Sequence, residues 1–145
     1  MSWLPLAVLT AVAFGIYNVF IKLSSGRIDQ ILGAVVLQTV AALVGGGVTL
    51  ALRLGGRSFV VTGAGLGWAV AAGIAVGLAE IATFVLFSRG APVAVATPII
   101  MGGSVVVTAL VGLAVLGERL AAPQIGGIVL VAAGIALLSS GGSGH

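Results

Sequence analysis

The sequence predicts an all-α membrane protein built as a bundle of five transmembrane helices. Only 6% of its residues are charged, against about 25% in soluble domains. The mean hydropathy is +1.34, and the 24 glycines suit closely packed membrane helices. Five stretches approach the length of about 20 apolar residues that a helix needs to cross the hydrocarbon core.

The five apolar segments follow one another with short connections. They are predicted to run approximately from Leu4 to Ile21, Ile31 to Leu52, Leu66 to Phe87, Val93 to Leu116 and Pro123 to Leu138. The fifth is short, so we expect it to tilt little or to end in the interface. Pro92 and Pro123 are predicted near the N1 positions of helices four and five, and Asp29 as the N-cap of helix two. We assign residues 1–139 to one transmembrane domain and the Gly/Ser-rich residues 140–145 to a flexible tail.

Basic residues are divided equally between the two sides of the membrane. Side A, the side of the N terminus, has Arg53, Arg57 and Arg119, whereas the opposite side B has Lys22, Arg27 and Arg89. An excess of Lys and Arg normally keeps one side in the cytoplasm, so this balance predicts insertion in both orientations. The alternative is a weak bias decided by a single dominant residue such as Lys22.

One acidic residue, Glu80, is predicted to lie inside a span. Gly73, Gly77 and Glu80 are spaced by four and three residues and therefore share one stripe of a helix. A GxxxG pair allows another backbone to approach closely, so we expect these glycines to pack against protein and Glu80 to face protein rather than lipid. Ionisable residues within membrane spans are functional by default, which makes Glu80 the leading candidate for a site.

Other polar residues are predicted at a similar depth. At a rise of about 1.5 Å per residue, Glu80, Gln38, Tyr17, Asn18 and Thr97 all lie about 4 to 10 Å from mid-membrane toward side B. We predict that these five residues bind substrate or protons. The alternatives are hydrogen bonding between helices for Asn18 and Gln38, an interfacial position for Tyr17, and a bond back to its own helix for Thr97.

The last two spans contain residues with predicted structural roles. Pro98 removes a backbone hydrogen bond, frees the carbonyl of Ala94 and is predicted to kink helix four. Gly126 and Gly127 are predicted to form a helix-packing surface that serves as a dimer seam. Glu118 lies at a helix end and is interpreted as a turn or cap residue.

Three junctions of the chain carry a recognisable pattern. "FGIYNVFIK" ends the first span, "FVLFSRGAPVAVATPI" joins the third and fourth, and "GERLAAPQIGGIVLVAAGIALL" joins the fourth and fifth. The chain thereby resembles one five-helix repeat of the drug/metabolite transporter superfamily, in its EamA-like branch. Typical members have two such repeats, inverted relative to each other. The resemblance therefore implies half of an inverted-repeat transporter that assembles as an antiparallel homodimer, as the four-helix small multidrug resistance proteins do.

The residues and the resemblance together predict a multi-pass transporter of the cell (inner or cytoplasmic) membrane. We expect proton-coupled export of a small cationic or amine-bearing metabolite or drug by alternating access, because no Lys or Arg inside a span is placed to bind an anion. The alternatives are an uncoupled translocase of an amphiphilic metabolite or lipid carrier, and a non-transporting membrane subunit.

The expected partners are a small-molecule substrate, protons, the lipid bilayer and a second copy of the chain. Without a nucleophile–base pair or a cluster of metal ligands, we expect no enzyme activity, cofactor or metal site. The six basic residues are scattered and predict no nucleic-acid surface.

Overall fold

A computed structural model describes residues 3 to 141 of the chain. Its helices are α1 (Leu4–Ser24), α2 (Gln30–Leu54), α3 (Gly63–Ser88), α4 (Val93–Ala114) and α5 (Ala122–Gly141). Apart from one isolated β-bridge between Ser25 and Ile28, all regular structure within this range is helical. The five predicted segments are thus confirmed as helices, in the predicted order.

All five helices are long and apolar enough to cross a membrane. They contain 20 to 26 residues, and the mean hydropathy of their most apolar windows lies between 1.9 and 2.2. Even α5, the shortest, reaches about 30 Å at 1.5 Å per residue, which matches the hydrocarbon thickness. The chain is therefore an all-α, multi-pass membrane protein.

Short polar side chains fix where two of the helices begin. The Asp29 carboxylate accepts hydrogen bonds from the backbone amides of Ile31 and Leu32 at 2.9 and 3.1 Å, so its predicted role as the N-cap of α2 is confirmed. The Thr62 hydroxyl accepts from the amide of Gly65 at 3.1 Å and caps α3 in the same way. These bonds satisfy amides that have no partner within the helix.

The junction between α4 and α5 differs from the predicted boundaries. The fourth helix ends at Ala114 rather than near Leu116, and Gly117 adopts a positive φ of 66° that favours glycine. The amide of Glu118 then bonds back to the Gly112 carbonyl at 2.9 Å, which closes the turn.

The two helix-initiating prolines lie near N1, as predicted, each one position away from it. Pro92 is the N-cap of α4, and Pro123 is the second residue of α5. The fifth helix runs from Ala122 to Gly141 and, with 20 residues, is longer than predicted. Ser140 and Gly141 therefore belong to this helix and not to the predicted tail. The rest of the predicted tail, residues 142–145, lies outside the described residues.

The chain divides into two compact units, one up to Gly90 with α1 to α3 and one from Ala91 with α4 and α5. In the first unit, α2 and α1 both pack against α3. Every buried residue of these three helices lies in the half nearest side B: Asn18, Ile21, Gly33, Ala34, Glu80, Phe84 and Phe87. The core of this unit is therefore concentrated at one end of the helices.

Polar contacts tie the side-B ends of the three helices together. The Lys22 ammonium of α1 donates to the Phe87 carbonyl at 3.3 Å and lies 5.7 Å from the centre of the Phe87 ring. The Gln30 amide of α2 donates to the Ser88 hydroxyl at 3.3 Å. These contacts link α1 and α2 to α3 at the side-B end of the first unit.

Candidate functional site

A cavity of about 350 Å³ lies between the three helices of the first unit, next to its core. It is lined by Phe14, Tyr17, Leu37, Gln38, Ala41, Gly73, Val76 and Glu80. Its volume falls within the range of small-molecule sites, about 300 to 1,000 Å³. The lining joins one carboxylate, one phenol and one amide to apolar side chains, with no basic residue among them.

Glu80 supplies the single carboxylate of this cavity. The residue is only 9% exposed, and its Oε2 atom makes no hydrogen bond to any part of the chain that the structure describes. A buried carboxylate oxygen without a hydrogen bond is unfavourable, whereas a bound proton or cation removes much of the cost. The arrangement therefore suits a group that alternates between holding a proton and holding a positively charged ligand.

Tyr17 of α1 brings a hydroxyl to the Glu80 carboxylate, and the two side chains interact directly. The Tyr17 ring also meets Phe14, one turn earlier, edge to face, with the ring centres 5.9 Å apart and an interplanar angle of 89°. The two rings offer the cavity aromatic surface that can attract a cation.

Gln38 of α2 reaches the cavity because Gly77 has no side chain. A Cβ atom at Gly77 would lie 3.3 Å from the Gln38 Oε1 atom, closer than most contacts of that kind. Gly77 thus packs against α2, as expected from the stripe it shares with Glu80. Gly73, on the same stripe, was expected to pack against protein as well, but it lines the cavity, and no described atom lies within 4 Å of where its Cβ would be.

Of the predicted binding residues in the first unit, Asn18 does not line this cavity. Asn18 is 2% exposed, and its side-chain amide donates to the Phe14 carbonyl of its own helix at 2.8 Å. Thr97 belongs to α4 in the second unit, so its place in a common layer with Glu80 stays a prediction. Its hydroxyl is buried and makes no bond to the described chain, and the bond back to its own helix, which was the alternative, is absent there.

The remaining predicted residues lie in the second unit. Pro98 is inside α4, as the sequence requires, and cannot donate the bond that Ala94 would accept. Gly126 and Gly127 are exposed on α5, and a Cβ at either would meet no described atom within 4 Å. They pack against nothing within residues 3 to 141, and their role in a dimer seam stays a prediction.

One contact beside the site was not found from the sequence. Gly33 of α2 faces the ring of Phe84, which is 3% exposed and follows Glu80 by one helical turn. The only local signal was a glycine in the first turns of a span, which does not identify its partner on another helix. Gly33 and Phe84 both line a second cavity next to this one.

Comparisons with protein-family models, with curated proteins and with solved structures gave no match. Within the described range, no three His, Cys, Asp or Glu residues come together as a group that would hold a metal ion.

Proposed function

We propose that the chain is a small membrane transporter of the drug/metabolite type, which exports a cationic or amine-bearing compound in exchange for protons. Glu80 binds either the proton or the cation, Tyr17 and Gln38 orient the bound group, and Phe14 contributes aromatic surface. The proposed location is the cell membrane, with two copies assembled antiparallel.

The observation that carries this proposal is the Glu80 carboxylate, which lines a cavity between membrane-length helices and whose Oε2 atom makes no hydrogen bond to the described chain. A cation that enters the cavity meets one negative charge and two aromatic rings. An anion meets the same negative charge and no basic lining residue, so phosphate-bearing cargo is disfavoured. The residues that line the cavity thus favour a positively charged substrate over a negatively charged one.

Coupling follows from the fact that one carboxylate cannot hold a proton and a cation at the same time. On the side with more protons, Glu80 takes up a proton and the cation leaves. On the other side, the cation displaces the proton. Among the described residues, Glu80 is the only carboxylate that lines the cavity, so the exchange depends on this one side chain.

A transport assay with a matched pair of variants tests the proposal. Protein in liposomes with an imposed pH gradient should accumulate the aromatic cation ethidium, and Glu80→Gln should abolish the accumulation. Thr83→Ala is the control, because the Thr83 hydroxyl bonds to the Ala79 carbonyl of its own helix and does not line the cavity. Gradient-driven transport that survives Glu80→Gln would refute the assignment.

The same assay separates the two alternatives. An uncoupled translocase would equilibrate ethidium without responding to the pH gradient, and Glu80→Gln would leave this movement intact. A non-transporting subunit would move nothing in any variant. Accumulation that requires both the gradient and Glu80 is expected only for the exchanger.

A further inference from the structure

A second, apolar cavity of about 390 Å³ adjoins the Glu80 cavity in the first unit; we call it the apolar groove. Tyr17 and Leu37 line both spaces. A ligand that reaches past these two side chains therefore occupies both at once. The groove continues toward side B, where Phe84 forms part of its wall.

The lining of the groove offers almost nothing to a polar group. Val36 and Val40 of α2 contribute aliphatic surface, and the one hydroxyl group besides that of Tyr17 belongs to Ser24. This hydroxyl already donates to the Ile21 carbonyl at 2.9 Å. An apolar ligand segment gains from burial here, whereas a charged one would lose its hydration without replacement.

The Gly33–Phe84 contact sets the shape of the groove wall. A Cβ atom at Gly33 would lie 2.5 Å from Cε1 of the Phe84 ring, too close for any side chain to fit without moving the ring. The glycine thus lets the ring lie against the backbone of α2. Phe84 follows Glu80 by one turn on the same helix, so the wall and the carboxylate are parts of one rigid element.

We propose that the apolar groove binds a hydrocarbon arm of the substrate whose amine binds Glu80. This inference rests on the proposed function and deepens it, because it specifies an amphiphilic amine rather than a compact polar one. We assign the substrate rather than an acyl chain of the bilayer to the groove, because the groove shares the wall residues Tyr17 and Leu37 with the carboxylate cavity.

A homologous series of n-alkylammonium ions, from ethyl to octyl, tests this directly. Binding to the purified protein is measured by calorimetry at fixed detergent concentration. We expect the affinity to rise up to about fourfold with each methylene, the effect of burying one CH₂ group, until the groove is filled.

Two substitutions on α2 separate the groove from unspecific partitioning into detergent. Val40→Phe adds volume to a side chain that is 53% exposed and lines the groove, so it should flatten the chain-length dependence and leave ethylammonium binding unchanged. Val44→Phe, one turn further along α2 and 63% exposed, does not line the groove and should keep the full dependence. Val36→Phe is a second groove-filling variant in case Val40→Phe does not fold.

The outcomes are distinct. Equal chain-length dependence in the wild type, a folded groove variant and Val44→Phe would show that the groove does not bind the arm, even if ethylammonium still binds and depends on Glu80. Failure of every ammonium ion to bind the wild type would instead overturn the proposed function, and this inference with it.

Discussion

Glu80 lies in α3 with Gly77 one turn before it and Phe84 one turn after it. Insertion of such an acid near mid-membrane costs about 2.5 to 3.5 kcal/mol. Each Leu, Ile, Val or Phe of α3 offsets about 0.3 to 0.6 kcal/mol of this insertion cost. The helix can therefore insert without a basic residue beside Glu80. Because insertion needs no ion pair, the Glu80 carboxylate is available to bind a ligand.

The Tyr17 hydroxyl is expected to strengthen cation binding by holding the Glu80 carboxylate in place. Tyr17→Phe removes the hydroxyl and keeps the ring that packs on Phe14. Loss of one hydrogen-bonding group corresponds to about 0.5 to 1.5 kcal/mol, so the cation affinity measured by calorimetry should fall roughly 2- to 10-fold.

Thr39→Val is the control for this change, because the Thr39 hydroxyl bonds to the Val35 carbonyl of its own helix and does not line the cavity. Its affinity should equal that of the wild type. An unchanged affinity in Tyr17→Phe would mean that the phenol group only fills space.

At the scale of the helices, the contact between α2 and α3 depends on the absence of a side chain at Gly33. Gly33→Ala should lower the free energy of unfolding by about 1 to 3 kcal/mol, because the new Cβ collides with the buried Phe84 ring. The measurement is the unfolding of purified protein in mixed micelles.

Gly45→Ala in the same helix is the matched control, since no described atom lies within 4 Å of its Cβ position. It should be neutral or slightly stabilising, because alanine has the higher helix propensity. Equal stability of the two variants would show that the Gly33–Phe84 contact does not constrain the packing.

The helices and several of their ends were predictable because they depend on local sequence. Hydropathy over about 20 residues defines a span, and an aspartate before an apolar run predicts a cap, as Asp29 shows. The stripe through Gly77 and Glu80 follows from helical periodicity alone and correctly predicted that Glu80 faces protein.

The parts that could not be predicted depend on side-chain choices and on contacts between distant segments. Asn18 was expected in the binding layer, but a short amide can bond to the carbonyl four residues earlier, and it does so with Phe14. The contact between Gly33 and Phe84 joins positions about 50 residues apart, and nothing local to either identifies the other. The position of a residue along its helix predicts its depth in the membrane, but it does not predict which neighbouring residue the side chain contacts.

At the scale of the whole molecule, much apolar surface is left without a partner in the described chain. No helix has more than 17% of its most apolar window buried, and for α5 the value is 0%. Lipid covers such surface readily, but the open glycines Gly126 and Gly127 on α5 are better suited to a close helix contact. This surface and the balanced basic residues both support the proposed antiparallel pair.

Adding or removing basic residues on one side should fix the orientation of the chain in the membrane. Ser58→Lys with Val60→Lys adds two basic residues to side A, and Arg57→Ser with Arg119→Ser removes two from the same side; all four positions are exposed connections. Each double variant should insert in one orientation, opposite to the other, and should be inactive alone, because an antiparallel pair needs both. Coexpression should restore transport.

The measurements for this prediction are the accessibility of an introduced terminal tag from each side of the membrane and cellular resistance to ethidium. Full activity of either double variant expressed alone would contradict the antiparallel dimer. It would leave the assignment of Glu80 intact.

Exchange of a proton for a cation at Glu80 can be measured as proton release from purified protein. Addition of ethidium to weakly buffered wild-type protein in detergent should release protons, detected with a pH indicator. A folded Glu80→Gln protein of the same oligomeric size should release none. Equal release from both proteins, or no release from wild-type protein that binds the cation, would show that Glu80 does not exchange a proton for the cation.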